Sequence, residues 1–141
     1  MNIYFSCAVT GGRNDQPAYA AIVEYLVAAG HEVPTAGLAR AEAMAEEALV
    51  SQQVVYDRDV AWVEGCDALV AEVSTPSHGV GYEIALALRL RKPVLCLYHS
   101  GARVSKMITG NRSPGLVVSA YDDVPGLLAE LGKFLASGLA A

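Results

Sequence analysis

The sequence predicts an α/β fold, a doubly wound five-stranded parallel sheet in the flavodoxin-like order 2-1-3-4-5 with helices on both faces. Short apolar runs alternate along the chain with longer segments of helical periodicity, which is typical of strand–helix–strand units and a parallel sheet. The strand-like runs are almost continuously apolar, as expected for strands that helices cover on both faces. A chain of 141 residues suits one core, so we expect a single domain over residues 1–141.

Each predicted strand is a short apolar run bounded by turn-forming or charged residues. In chain order, the five strands cover residues 2–6, 32–35, 68–73, 93–98 and 116–119. The predicted helices are longer and place apolar residues on one face, and the first of them stops at Gly30. They cover residues 15–29, 41–65, 79–91 and 124–137. The pattern of the second helix also allows a break near its start.

The composition excludes several classes of protein. The chain is 53% hydrophobic and 18% charged, which argues against disorder. Its net charge of −5 offers no electrostatic footprint for nucleic acid, although local backbone dipoles can still bind a small anion. No apolar run reaches the roughly 18 residues of a membrane span, and the first residues lack the basic region of a signal peptide. We therefore expect a cytoplasmic protein with no nucleic-acid or membrane partner.

The cysteines and histidines predict no metal centre. Cys7, Cys66 and Cys96 are widely spaced and include no CxxC pair, so they indicate neither a disulfide framework nor a zinc site. None of the three histidines has the spacing of metal ligands. We expect no metal and no cofactor, and we expect Cys66 and Cys96 to be buried thiols in or beside strands.

Two loops mark the predicted ligand crevice, because doubly wound sheets bind ligands beyond the carboxyl ends of their strands where the strand order reverses. These loops are SCAVTGGRND, residues 6–15, and STPSHG, residues 74–79. In the first, Gly11-Gly12 suits either a close approach to a ligand or a plain tight turn, and no Walker A or GxGxxG pattern is present. Asp15 is interpreted as the cap of the following helix.

The second loop leads into a helix that carries the most informative acid. Ser77 and Gly79 lie at the helix start, where free N–H groups and the dipole suit a phosphate, although Ser77 could equally be only a cap. Glu83 follows one turn later among apolar and small neighbours. The dipole alone could account for a carboxylate there, at about 0.3–1 kcal/mol. The alternative is a catalytic role, because the helix begins at the predicted crevice.

A second acid is predicted to face inward from the helix before the third strand. Asp57 and Asp59 are two residues apart and therefore point about 200° apart around a helix. Asp59 shares a face with Val55, Trp62 and Val63. An inward carboxylate needs a hydrogen-bonding partner or a function, and both interpretations of Asp59 remain open.

Considered together, these motifs resemble those of the 2′-deoxynucleoside 5′-monophosphate N-glycosidases of the nucleoside 2-deoxyribosyltransferase superfamily. The resemblance runs from Ile3 to about Phe134. It is carried by YFSCAVTGGR, YDRDVAWVEGCDALVAEV, TPSHGVGYEIALAL, KPVLCLY and RVSKMI.

The resemblance implies hydrolysis of the N-glycosidic bond of a nucleotide to a free base and a sugar 5-phosphate. Glu83 matches the nucleophile that forms a glycosyl ester, Asp59 the second acid, and Tyr4 a tyrosine that orients the nucleophile. A carboxylate beside a sugar that develops oxocarbenium character fits this chemistry. The alternatives are a nucleoside 2-deoxyribosyltransferase and a CMP-type ribonucleotide N-glycosidase.

The resemblance also implies a substrate-binding set and a homodimer. Ser105 matches a serine supplied by the neighbouring subunit, and Met107 would lie against the base. The implied binding residues are Phe5, Ser6, Cys7, Ala8, Val9, Thr10, Gly11, Gly12, Tyr19, Ser77, Gly79, Ser105 and Met107. The chain departs from the family pattern at Thr10, which often is an arginine, and at His78, which replaces an apolar residue.

Overall fold

A computed structural model of the chain describes residues 1–9 and 15–138. Its centre is a sheet of four parallel strands in the order β1-β2-β3-β4. The strands are β1 (Ile3–Ser6), β2 (Ala68–Glu72), β3 (Val94–His99) and β4 (Leu116–Tyr121). The parallel α/β fold predicted from the sequence is confirmed, with the expected order of these four strands.

The prediction of a fifth strand at residues 32–35 is wrong. Glu32 forms a single parallel bridge with Asn2 beside β1, and the chain then turns into a 3-10 helix, Ala36–Ala39. Pro34 has no N–H to donate to a ladder. The hydroxyl of Thr35 instead accepts the N–H of Phe5 at 3.0 Å, so a side chain takes a bond that a fifth strand would have supplied.

Six α-helices surround the sheet in the described ranges. They are α1 (Gln16–Ala28), α2 (Ala43–Glu47), α3 (Gln52–Gly65), α4 (His78–Arg89), α5 (Lys106–Thr109) and α6 (Val124–Ala136). The long helix predicted at residues 41–65 is divided into α2 and α3. Ser51 begins α3 as its cap, because its side chain accepts the N–H of Val54 at 3.3 Å.

Successive strand residues point to opposite faces of the sheet, and each face has its own apolar cluster. The cluster on one face includes Phe5, Val70 and Leu95 with residues of α1 and α6. The cluster on the other face includes Tyr4 and Leu69 with residues of α3 and α4. Helices therefore cover both faces, as predicted.

The predicted buried thiols are confirmed. Cys66 and Cys96 are both almost fully buried, and Cys7 is buried as well. All three are free cysteines. Within the described ranges, no helix is long and apolar enough to cross a membrane.

The pairing of β1 with β2 positions the candidate site. Ser6, the last residue of β1, pairs with Ala71, the penultimate residue of β2. Because the strands are parallel, the chain leaves both at the same edge of the sheet. The residues that follow β1 and β2 therefore meet there.

Neighbouring residues of α1 test the assignment of the core. Leu26 is fully buried and Val27 is 53% exposed. We expect Leu26→Ala to lower the free energy of unfolding by about 2–5 kcal/mol, because it leaves a cavity in a packed cluster. The measurement is urea denaturation followed by circular dichroism.

Val27→Ala is the matched control, with an expected change within about 0.5 kcal/mol. Equal losses from the two substitutions would contradict the placement of α1 on the sheet.

Candidate active site

Glu83 lies at a cavity between α3 and α4. The cavity has a volume of about 300 Å³ and is mostly apolar in its lining. Its lining residues are Gln52, Val55, Tyr56, Asp59, Val60, Val63, Gly79, Tyr82, Glu83 and Leu86. The structure thus brings Glu83 and Asp59, the two predicted catalytic acids, to one cavity.

The carboxylate of Glu83 is held by a residue from the end of β1. The Ser6 hydroxyl donates a hydrogen bond to Glu83 Oε2 at 2.6 Å. Ser6 is separated from Glu83 by 77 residues of chain, and the parallel register of β1 and β2 brings the two together. Ser6 was predicted as a substrate-binding residue, and here its side chain orients the acid.

Tyr4 lies on the same face of β1, two residues before Ser6. Its hydroxyl is buried and makes no hydrogen bond of good geometry within the described part of the chain, but it lies close enough to Glu83 to influence the acidity of that carboxyl group. Burial raises the pKa of Tyr4 far above its usual range, and the nearby charges of Glu83 and Asp59 raise it further. Tyr4 therefore stays protonated and keeps a hydroxyl hydrogen that it can donate near Glu83.

Burial also raises the pKa of Glu83, to about 7. The Asp59 charge acts in the same direction, whereas the hydroxyls of Ser6 and Tyr4 and the Arg58 charge lower the pKa. The carboxyl group is consequently divided between its neutral and ionised forms near neutral pH. Such a value is typical of catalytic carboxyls.

Asp59 is paired with its sequence neighbour. Arg58 Nε lies 2.8 Å from Asp59 Oδ1, and the Arg58 guanidinium also binds both oxygens of Glu47 at 3.1 Å. The same guanidinium stacks 5.0 Å from the centre of the Trp62 ring. Burial raises the pKa of Asp59, and Arg58 opposes this shift. Asp59 faces inward as predicted, and Asp57 is exposed.

The sequence prediction missed Arg58 and Glu47. Glu47 lies at the end of α2, 11 residues before Arg58, so no helical spacing joins them. Asp57 and Asp59, on either side of Arg58, were the only sign in the sequence that Arg58 takes part in an ion pair. The sequence analysis left the partner of Asp59 open and did not include this ion pair.

Ser77 caps α4, because its side chain accepts the N–H of Val80 at 3.3 Å. That bond uses an oxygen lone pair and leaves the hydroxyl hydrogen for another acceptor. Gly79 lines the Glu83 cavity, whereas Ser77 lines a second cavity of about 880 Å³ on the opposite side of α4.

The second cavity also contains the residues expected to act in the neighbouring subunit. Ser105, Met107, Arg103 and Lys106 are among its lining residues. Ser105 caps the short helix α5, and Met107 is 83% exposed. Neither lines the cavity of Glu83 within one chain.

The remaining predicted binding residues follow β1 or pack beneath it. Phe5, Cys7 and Tyr19 belong to the cluster on the face opposite Glu83, and Ala8 is fully buried. Val9 is half-buried. Thr10, Gly11 and Gly12 lie outside the described residues.

Asp15 does not cap α1 with its side chain. It accepts a hydrogen bond from the Thr75 hydroxyl at 2.7 Å instead. The two loops predicted to form the crevice are therefore connected directly. Within residues 1–9 and 15–138, no group of three or more His, Cys, Asp or Glu side chains could hold a metal ion.

The arrangement provides three groups that can take part in a displacement at carbon. A carboxyl group oriented by a hydroxyl can attack as a nucleophile once ionised. A second carboxyl group at the same cavity can transfer protons. A tyrosine that stays protonated can donate a hydrogen bond.

The sequence and the fold were compared with known proteins. The profile of the nucleoside 2-deoxyribosyltransferase family matches residues 3–124. The chain is 44% identical over 113 residues to the 5-hydroxymethyl-dUMP N-hydrolase of Mus musculus, covering 77% of this chain and 65% of that protein. It is 40% identical over 126 residues to a Methanosarcina mazei protein named as a candidate 2′-deoxynucleoside 5′-phosphate N-hydrolase 1, covering 89% of this chain and 78% of the relative.

Solved structures show the same fold. The CMP N-glycosidase of Clostridium botulinum superposes with a TM-score of 0.73 at 18% identity, covering 95% of this chain and 99% of the other. A 2-desoxiribosyltransferase from Leishmania mexicana superposes with a TM-score of 0.56 at 14% identity, covering 94% and 97%.

The Ser6 hydrogen bond makes a prediction for the acidity of Glu83. The bond stabilises the ionised carboxylate, so we expect Ser6→Ala to raise the pKa of Glu83 above its value of about 7. The measurement is an NMR titration of carboxyl carbons in protein labelled at glutamate.

Glu83→Gln serves as the control, because it removes the Glu83 signal and so assigns it. A Glu83 pKa that stays constant or falls in Ser6→Ala would contradict the role of Ser6.

Proposed function

The chain belongs to the nucleoside 2-deoxyribosyltransferase family, and from this premise we propose that it hydrolyses the N-glycosidic bond of nucleoside 5′-monophosphates of the deoxy or ribo series. The products are the free base and the sugar 5-phosphate. The observation that carries the proposal is the cavity where Glu83, oriented by Ser6, lies together with Asp59. Relatives at about 40% identity that are named nucleotide N-hydrolases support the choice of reaction.

In the first step, ionised Glu83 attacks the anomeric carbon of the sugar. A bond forms between a carboxylate oxygen and C1′ while the bond from C1′ to the base nitrogen breaks, which gives a glycosyl ester and a departing base. The base takes up a proton from neutral Asp59. Burial raises the pKa of Asp59 and so makes its protonated form easier to reach, while the pairing with Arg58 opposes this shift.

In the second step, water replaces Glu83 at C1′. Asp59, now ionised, accepts a proton from the water as its oxygen attacks, and the ester bond to Glu83 breaks. Glu83 returns as a carboxylate, which the Ser6 hydrogen bond stabilises. Two displacements at one carbon retain its configuration.

The start of α4 is proposed to bind the 5′-phosphate. The hydroxyl of Ser77 and the amides near Gly79 supply donors, and the positive end of the helix dipole favours an anion. Gly79 borders the Glu83 cavity, so a phosphate there would lie at the entrance of the proposed catalytic site. A bound phosphate favours hydrolysis of nucleotides over transfer between nucleosides.

We propose further that the active unit is a homodimer in which Ser105 and Met107 complete the site of the partner. Ser105 and Met107 are exposed and line a cavity other than that of Glu83 in their own chain. A contribution to the same site therefore requires a second copy. An exposed methionine side chain is suited to a contact with a flat base.

The first test is base release from a panel of deoxy and ribo nucleoside 5′-monophosphates, with the matching nucleosides beside them. Release from nucleotides in water alone is the expected result. Turnover of nucleosides only after addition of a free base would identify a deoxyribosyltransferase instead. Release from CMP alone would select the ribonucleotide reaction.

The second prediction concerns the nucleophile. We expect Glu83→Ala to abolish base release because no group remains to form the ester, and to preserve the circular dichroism spectrum. Glu83→Gln is the closer variant, since it keeps the shape and removes the negative charge. A variant that retains most of the parent kcat would refute the assignment of Glu83.

The third prediction concerns the neighbouring subunit. We expect Ser105→Ala to weaken nucleotide binding, measured by isothermal titration calorimetry. Chains with Glu83→Ala and with Ser105→Ala are then unfolded together and refolded in equal amounts. If Ser105 acts in the partner's site, each mixed dimer contains one intact site, and about a quarter of the parent activity should return.

The refolded single variants are the controls for this mixture. Activity that stays at the sum of those controls would show that Ser105 does not act between subunits.

A further inference from the structure

Glu72 is a buried acid that the proposed reaction does not use. It is the last residue of β2 and is fully buried. Alternation along β2 places it on the face opposite Glu83, the face covered by α1 and α6. It lines neither of the two cavities beside α4.

One oxygen of Glu72 organises the loop that leads to α4. Glu72 Oε1 accepts the N–H of Ser74 at 2.9 Å and also the Ser74 hydroxyl. The Ser74 oxygen in turn accepts the N–H of His99 at 2.8 Å. Because that N–H can only donate, the hydroxyl hydrogen of Ser74 is available for Glu72. The relay connects the end of β3 to the end of β2 and to the start of the loop.

The other oxygen, Glu72 Oε2, is buried without a hydrogen-bonding partner in the described part of the chain. Glu72 also forms none of the ion pairs found there. An unpaired negative charge in the interior is costly. A proton on Oε2 removes the charge and leaves Oε1 free to accept both bonds from Ser74.

The surroundings of Glu72 favour that proton. Burial raises the pKa of Glu72 to about 7, the Asp15 charge raises it further, and the two Ser74 bonds oppose the shift. The other titratable neighbours are Tyr19 and Tyr121. Burial raises the pKa of both tyrosines, and the Glu72 charge raises it further. The ring of His99 packs edge-on against Tyr121 at 5.8 Å, and Cys7 lies near Tyr19.

We propose that Glu72, as a neutral acid, is a positioning residue for the reaction: through Ser74 it holds the loop of residues 74–77 that presents Ser77 and Glu83 on α4. This inference rests on the proposed function for its effect on turnover. The bond between Thr75 and Asp15 fixes the same loop from the other side. A loop held at both points sets where α4 begins, and small displacements of a catalytic group are costly to the rate.

The direction in which pH changes the stability follows from the protonation of Glu72 in the folded and in the unfolded chain. Between about pH 4.5 and 7, Glu72 binds a proton when folded and not when unfolded. The equilibrium constant for unfolding therefore rises with pH in this range, by up to about tenfold per pH unit for each such group. Glu83 contributes in the same way.

The experiment compares the parent with Glu72→Gln, Glu72→Ala and Ser74→Ala. Glutamine is neutral and keeps an oxygen acceptor for Ser74, so we expect Glu72→Gln to retain kcat within about twofold at pH 6 and to lose less activity than the parent above pH 7. Glu72→Ala and Ser74→Ala both break the relay, and kcat should fall by on the order of tenfold to a hundredfold. If Glu72→Ala does not fold, Ser74→Ala provides the same comparison.

Two readouts do not depend on turnover. Urea denaturation from pH 5 to 7 should show a shallower rise of the unfolding constant in Glu72→Gln than in the parent. Hydrogen exchange should show that the Ser74 and His99 amides are protected in the parent and Glu72→Gln and lose protection in Glu72→Ala. In Ser74→Ala, we expect loss of protection at the His99 amide, whose acceptor is removed, whereas the amide of residue 74 keeps Glu72 Oε1 as its acceptor.

These outcomes separate the two proposals. A parent that releases no base refutes the proposed function, and the two readouts then decide on Glu72 by themselves. An unchanged pH slope in Glu72→Gln, or unchanged protection in Glu72→Ala and Ser74→Ala, overturns the role of Glu72. So does a parent-like kcat and pH profile in folded Glu72→Ala.

Discussion

The parallel pairing of β1 with β2 is the constraint on which the site depends. It places Ser6 beside the end of β2, and α4 then returns along the sheet with Glu83 directed at the Ser6 hydroxyl. A slip of the register by one residue would turn Ser6 and Tyr4 to the face of α1 and α6. The buried clusters on both faces oppose such a slip, because each strand side chain is packed against the helices of its own face.

The sheet separates two carboxyl groups whose pKa values are raised for the same main reason. Burial raises the pKa of Glu83 and the pKa of Glu72, each to about 7. Their other contacts differ. Glu83 faces a cavity and accepts a hydrogen bond from Ser6 that favours its ionised form, whereas one oxygen of Glu72 is buried without a partner among the described residues. Similar acidity can therefore serve a nucleophile on one face and a fixed neutral support on the other.

Helix α4 divides the surface into two cavities. The smaller one holds Glu83 and Asp59, and the larger one holds Ser77 with Ser105 and Met107. The amino end of α4 lies between them, with Gly79 on one side and Ser77 on the other. This division gives a physical reason for the proposed dimer, because residues of the larger cavity reach a Glu83 cavity only from another chain. Because the start of α4 borders both cavities, the position of the loop before α4 affects both of them.

The sequence by itself determined the class of fold, the order of the four strands and the two loops at their carboxyl ends, because apolar periodicity and turn residues are local signals. It also singled out Glu83 and Asp59 as candidate acids of the site, since an acid among apolar neighbours stands out in a helical pattern. The prediction of a fifth strand at residues 32–35 was wrong. Pro34 has no N–H to donate to a sheet, and the Thr35 hydroxyl accepts the N–H of Phe5 that a strand would have paired.

Only the tertiary structure decided the partners of these groups. The bonds from Ser6 to Glu83, from Arg58 to Glu47 and from Ser74 to Glu72 join residues at separations of 77, 11 and 2. Neither the helical nor the strand periodicity of the sequence relates residues at all three of these separations. Hydrogen bonds and pKa shifts depend on distance and burial, which packing sets after the pattern of the chain has chosen the fold.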